Sequence, residues 1–230
     1  KSRGILVSNT PGAVTDATAD IALTLMLMTA RRAGEGERLL RAGQWQGWHP
    51  TQMLGLHMSG KTVAIIGMGR IGEAIARRCH FGFGMQVVYA SRSKKQMDFP
   101  ATQLLSVSEA VAHADFVVAA VPGGATTKHL VGQDLFTSMP SHSIFVNISR
   151  GDVVDEAALI AALQTGQIGG AGLDVYELEP VVPDALVQLE NVTLLPHLGT
   201  ASLEVRTGMG DMALKNIEDF IEGRSPMNLV

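Results

Sequence analysis

Cys79 is the sole cysteine among 230 residues. No intrachain disulfide framework is available, so a reducing, cytoplasmic setting is the natural expectation, with Cys79 as a half-buried helix residue. Charged residues are sparse at 17%, and the formal net charge is −4. Without a basic excess there is no electrostatic reason to expect nucleic acid or an acidic membrane surface as a partner. Long apolar runs are also missing. The longest, IALTLMLMTA from Ile21 to Ala30, is bounded by Asp20 and Arg31 and falls short of the roughly 20 residues that a membrane span needs. His49, His57, His80, His113, His129 and His142 show no metal-ligand spacing with Cys79 or with carboxylates, and they read as structural or surface side chains. Internal repeats, low-complexity tracts and a signal-like segment are absent as well. The chain opens KSRGILVSN without a methionine, which reads as part of a longer polypeptide. A small molecule is the expected partner.

What is present is an alternation. Short runs rich in β-branched residues recur at Thr62–Ile66, Gln86–Tyr89, Phe116–Ala120, Ile144–Ile148, Ala171–Val175 and Val192–Leu195. Helical patterns lie between them, at Ile71–Phe81, Val107–His113, Asp134–Ser138 and Glu156–Thr165. Strands alternating with helices predict a doubly wound α/β fold around a parallel sheet, here of six strands. Near-continuous apolar runs such as TVAIIG suit strands covered on both faces. Ahead of this unit, residues 15–32 predict a helix with Thr15 as N-cap, acids at its start and Arg31 and Arg32 at its end. Its apolar circumference is too wide for a solvent-facing helix, so it is expected to pack against a second subunit or a further domain. A final amphipathic helix is predicted in EVRTGMGDMALKNIEDFIEG. The expected division is residues 1–200 as one domain and 201–230 as a helix returning to a substrate domain.

Within VAIIGMGRIGEAIARR, Gly67, Gly69 and Gly72 have GxGxxG spacing directly after an apolar strand and at the opening of a helix. The first glycine serves a tight turn, the second lets backbone approach a pyrophosphate, and the third lets helix and strand pack closely. The helix N-terminus offers N–H groups and positive dipole to the anion, and Arg70 is a candidate side-chain contact. About 20 residues after such a fingerprint an Asp or Glu ordinarily binds the adenosine ribose. Here the stretch reads QVVYASRSKK. Ser91, Arg92 and Ser93, with Lys94 or Lys95 nearby, are suited to a 2′-phosphate, which predicts NADPH as the preferred cofactor with NADH possible.

A second constellation comprises NISRGDVVDEAALIAAL, AGLDVYELEP and LLPHLGTAS. Each begins at the carboxyl end of a predicted parallel strand, the side on which open α/β sheets bind ligands. Arg150, Asp174, Glu179 and His197 are therefore expected near one crevice. A guanidinium there matches a carboxylate bidentately. An imidazole beside a carboxylate suits a general acid and base.

These segments resemble the cofactor-binding half of the D-isomer-specific 2-hydroxyacid dehydrogenases, and the lead-in VSNTPGAVTDATADIALTLMLMTARR is similar to the glyoxylate and hydroxypyruvate reductase branch. The resemblance runs from about Gly4 to Val230. It implies a Rossmann-type fold from which an amino-terminal, flavodoxin-like substrate lobe is missing, and activity as a reductase of a small 2-oxoacid that is not expected of this fragment alone. It further implies that Arg150 holds the substrate carboxylate, that His197 is the acid and base, and that Glu179 pairs with it. Asp174 resembles the residue that hydrogen-bonds the nicotinamide carboxamide. Ala120, Val121 and Pro122 match the adenosine loop, Arg70 and Ile71 match the pyrophosphate turn, and Gly199 of PHLGTAS joins the cofactor-binding set. A homodimer is the expected assembly. A cofactor-sensing, corepressor-like scaffold without turnover is the alternative. Trp45 and Trp48 are expected to pack, with an approach to the site as the lesser expectation.

Overall fold

The computed structural model describes residues 3–230. Its strands are β1 (Thr62–Ile66), β2 (Gln86–Ala90), β3 (Thr102–Gln103), β4 (Phe116–Ala119), β5 (Ile144–Asn147), β6 (Gly170–Leu173) and β7 (Val192–Leu194). They form one sheet in the order β3-β2-β1-β4-β5-β6-β7, with every pairing parallel. The fold is doubly wound α/β. Seven strands correct the expected six: β3 pairs only Thr102 with Val88 and Gln103 with Tyr89, too short to leave a period in the sequence.

Alternation along the strands divides the interior into two cores. In β4, Phe116 and Val118 belong to one and Val117 and Ala119 to the other, and all four are buried. Successive side chains point to opposite faces, so a strand buried on both faces is apolar throughout. Helices α1 (Thr15–Ala30), α2 (Ala33–Arg41), α3 (Arg70–Phe83), α4 (Val107–Val111), α5 (Gln133–Ser138), α6 (Glu156–Gln164), α7 (Asp184–Val187) and α8 (Leu203–Ile221) complete the chain. α2 and α7 are additional to the elements expected. α4, α6 and α8 start with side-chain caps from Ser106, Asp155 and Ser202.

α1 corrects two expectations. Its N-cap is Val14, without a side-chain cap bond, rather than Thr15. Its apolar surface is also covered by the chain's own sheet and by α3, not reserved for another subunit: Ala22, Leu25 and Met26 are fully buried. Close approach explains this. A Cβ at Gly172 of β6 would stand 2.8 Å from Leu25 Cβ, so the bare strand lets the helix settle directly on it. Thr29 Oγ1 then donates to the Ala171 carbonyl at 3.3 Å. Arg78 of α3 donates to Asp16 and Asp20 at 2.9 and 2.8 Å, which ties the two helices at the rim.

Cys79 is wholly buried rather than half-buried, and burial pushes its thiol up to about 12, which leaves an inert packing group. Trp45 and Trp48 are exposed rather than packed. Among the described residues no helix is long and apolar enough to cross a membrane.

Candidate active site

After β1 the chain turns at Gly67 with φ +97°, a conformation that side chains rarely adopt. A Cβ there would also stand 2.7 Å from the Ala120 carbonyl oxygen and 2.7 Å from Val121 Cγ1. Gly67 is thus required by backbone angle and by the closeness of the loop after β4. A methyl at Gly72 would collide with the Gly67 carbonyl, so helix and strand meet there. Gly69 differs from both: it is the N-cap of α3, supplies no side-chain cap, and has open space where a Cβ would be. The first N–H groups of a helix lack intrahelical partners, and with the dipole they make an anion seat. An uncapped helix start with a vacant approach fits a dinucleotide pyrophosphate.

Two cavities flank this turn and share Gly69, Ala120, Val121 and Pro122 as walls. The larger, about 1020 Å³, is lined further by Arg70, Ile71, Arg150, Glu179 and His197. The smaller, about 660 Å³, takes in Gly67, Ser91, Arg92, Ser93 and Lys95, and no Asp or Glu is among its walls. Both lie at the carboxyl ends of β1 and β4, where the strand order reverses, the usual ligand crevice of such sheets.

His197 follows β7 on a loop and has φ +56°. Its backbone N–H donates to the Asp174 carbonyl at 2.9 Å, and the next two N–H groups, of Leu198 and Gly199, donate to Asp174 Oδ1 and Oδ2 at 2.6 and 2.8 Å. Asp174 is 2% exposed. Burial raises its carboxyl pKa despite those two N–H donors. The His197 side chain, 48% exposed, places Nδ1 2.8 Å from Glu179 Oε2. Glu179 Oε1 accepts from the Tyr176 N–H at 3.0 Å. Partial burial pushes Glu179 up, but the His197 and Tyr176 hydrogen bonds, with the charges of His197 and Arg150, outweigh it and set the carboxyl below its ordinary range.

Arg150 follows β5. Buried Asn147 shapes this turn by donating to the Arg150 carbonyl at 3.0 Å and accepting from Ser149 N–H and Oγ. The Arg150 stem lies over Gly123, where a Cβ would be 2.7 Å from its Cγ, and Nη1 donates to the Ser149 carbonyl at 2.6 Å. The guanidinium is exposed to the crevice.

The structure therefore brings Arg150, Glu179 and His197 to one cavity and Ser91, Arg92 and Ser93 to the adjoining one. Asp174 and Gly199 stand behind the His197 loop. Sequence reasoning missed that both Asp174 oxygens clasp this loop. It also missed Glu156, buried at the start of α6, whose Oε1 accepts from the Glu177 N–H at 2.8 Å; nothing in DEAAL distinguishes it from a solvated helix acid.

Residues 23–199 match the family described as D-isomer specific 2-hydroxyacid dehydrogenase, NAD binding domain. The chain belongs to this family. It is 44% identical to a glyoxylate reductase of Thermococcus litoralis over 99% of its own length and 70% of that protein. An NADPH-dependent glyoxylate/hydroxypyruvate reductase from Sinorhizobium meliloti, solved with NADP and malonate, superposes with a TM-score of 0.93 at 38% identity, covering all of this chain and 71% of that one. A D-isomer specific 2-hydroxyacid dehydrogenase from Polaromonas gives 0.95 at 37% identity over 72% of its chain. As a family member the chain is an oxidoreductase of the 2-hydroxyacid dehydrogenase type with a nicotinamide-binding fold.

Proposed function

We propose that the protein reduces a small 2-oxoacid, glyoxylate or hydroxypyruvate, to the corresponding 2-hydroxyacid with NADPH as the preferred cofactor. The observation that carries this is the His197–Glu179 pair at 2.8 Å in the same cavity as the Arg150 guanidinium. Arg150 binds the substrate carboxylate through its planar fork. Protonated His197 donates from Nε2 to the carbonyl oxygen, and Glu179 on Nδ1 fixes the ring orientation. The reduced nicotinamide, when bound, supplies the hydride. Asp174, close behind His197, is assigned to the carboxamide with the oxygen lone pairs left by Leu198 and Gly199. The reductase names of the relatives support the substrate class; nothing among them favours a corepressor-like scaffold.

Preference for NADPH is supported by the smaller cavity, whose walls carry Arg92, Lys95, Ser91 and Ser93 and no carboxylate to repel a 2′-phosphate. Ser91 Oγ already donates to the Ser93 carbonyl at 2.6 Å, so Arg92 is assigned the larger part. The assembly is assigned as a homodimer. Its support is the exposure of Leu40, Trp45, Trp48 and Leu54 after α1, a segment unlike a solvated surface. Initial rates with glyoxylate, hydroxypyruvate, pyruvate and phosphohydroxypyruvate, each with NADH and NADPH, test the activity. Tight cofactor binding without oxidation by any of these acids would refute it, and sedimentation of a monomer at micromolar concentration would refute the dimer.

A further inference from the structure

A second histidine–carboxylate contact borders the crevice. His129 Nε2 lies 2.7 Å from Glu177 Oε1, with side chains 39% and 27% exposed. His129 sits near the end of the loop that follows β4. The first residues of that loop, Ala120–Gly124, wall the larger cavity, while Thr126, Thr127 and Leu130 wall the smaller. Little else fastens the loop midway: Gly124 has φ +127° with open space around it, and the Thr127 hydroxyl bonds only within the loop, to Pro122 and Gly124 carbonyls. Anchorage comes at His129. Its N–H donates to the Asp152 carbonyl at 2.8 Å, its imidazole meets Glu177, and its backbone is held at φ +51°, where non-glycine residues are uncommon; two residues on, the Val131 N–H donates to the Val153 carbonyl at 3.0 Å and closes the loop.

The other partner leads straight to the acid–base pair. The Glu177 N–H is gripped by buried Glu156, and Gly151 is pressed so closely on Tyr176 and Glu177 that no side chain would fit. The adjacent Tyr176 N–H holds Glu179 Oε1, and Glu179 Oε2 holds His197. Contacts thus run unbroken from the loop over both cavities to the proton-bearing imidazole.

We propose that His129 and Glu177 are positioning residues. Their contact fastens the loop that walls the cofactor seat to the segment bearing Glu179, so that the seat and His197 keep one separation. This rests on the reductase reading of the site. Hydride and proton must reach one carbonyl group together, and a displacement of about 1 Å can cost on the order of 10²-fold in rate. The tie is a hydrogen bond and needs no particular charge on Glu177.

The test compares His129→Ala, Glu177→Ala, Glu177→Gln and the double alanine variant. Each single alanine should lower kcat about tenfold while changing the 2-oxoacid KM less than about threefold. Glu177→Gln, which keeps the acceptor, should stay within about threefold of wild type, and the double variant should be no worse than the worse single, as expected when both remove one interaction. In the ligand-free chain, amide exchange over residues 122–130 should quicken about fivefold or more in both alanine variants and not in Glu177→Gln. If His129→Ala does not fold, His129→Asn serves, since asparagine accepts positive φ but is too short to reach Glu177. Unchanged exchange in that loop, losses that multiply in the double variant, or a glutamine variant as impaired as alanine would each overturn the inference. Absence of wild-type turnover would refute the function alone, since the exchange measurement still decides the tie.

Discussion

Gly67 and Gly69 are two residues apart in one turn, yet alanine should injure them in opposite ways. At Gly67 the methyl must accept φ +97°, a strain of about 1–2 kcal/mol for a non-glycine residue. It must also fit 2.7 Å from a backbone oxygen and from Val121 Cγ1, an overpacking of about 1–3 kcal/mol. The combined loss is roughly 2–5 kcal/mol, and for a domain of this size each kcal/mol lowers Tm by about 2–4 °C. Gly67→Ala should therefore melt roughly 4–20 °C below wild type. At Gly69 the backbone is at φ −85° and nothing lies within 4 Å of the added methyl. Gly69→Ala should melt within about 2 °C of wild type, since surface changes without strain cost at most about 0.5 kcal/mol. Its methyl would instead intrude on the pyrophosphate approach and keep the anion from the uncapped N–H groups, a loss of about tenfold or more in cofactor affinity. Thermal scans with NADPH titration followed by nicotinamide fluorescence measure both quantities. Similar Tm losses in the two variants, or wild-type affinity in Gly69→Ala, would refute this division of roles.

His197→Ala and Arg150→Ala should each lower kcat/KM at least 10²-fold while cofactor affinity stays nearly intact, because general acid catalysis alone is worth about 10²–10⁴; steady-state rates within threefold of wild type would remove these assignments. Arg92→Ala should weaken NADPH binding roughly tenfold to 150-fold and NADH much less, given about 1.5–3 kcal/mol for a charge-assisted hydrogen bond; competitive titration checks it, and equal losses for both cofactors would mean that Arg92 only faces water. Glu179 has its folded pKa lowered from 4.5, so its contribution to stability is present above that value and lost as pH falls through the folded pKa. Glu179→Gln should accordingly melt below wild type at pH 7, with the difference closing below pH 4.5; a difference constant from pH 7 to pH 3.5 would contradict the favourable pairing.

Legibility followed the range of the interaction. The strands could be found because their burial is repeated in every residue of VAII or FVVA, and the glycine turn because its GxGxxG spacing stands between an apolar strand and a helix start. The order of Arg150, Glu179 and His197 at strand ends made the crevice predictable too, since parallel strands all deliver their carboxyl ends to one side. The two-residue β3 escaped because it has no period of its own.

Composition and pattern determined by themselves that an apolar helix starts at Thr15, that the sheet is parallel, and that Arg92 rather than a carboxylate stands just after β2. Which surface covers α1 was decided only in three dimensions, by the room that Gly172 leaves for Leu25. Tertiary structure likewise decided that Asp174 clasps the His197 loop from 23 residues away and that His129 reaches Glu177 across 48. An amphipathic period reports that a residue is buried or exposed, because that depends on its own neighbours along the chain. It carries no record of which distant backbone will close to hydrogen-bonding distance, because that depends on how strands and loops are stacked once the whole sheet has formed.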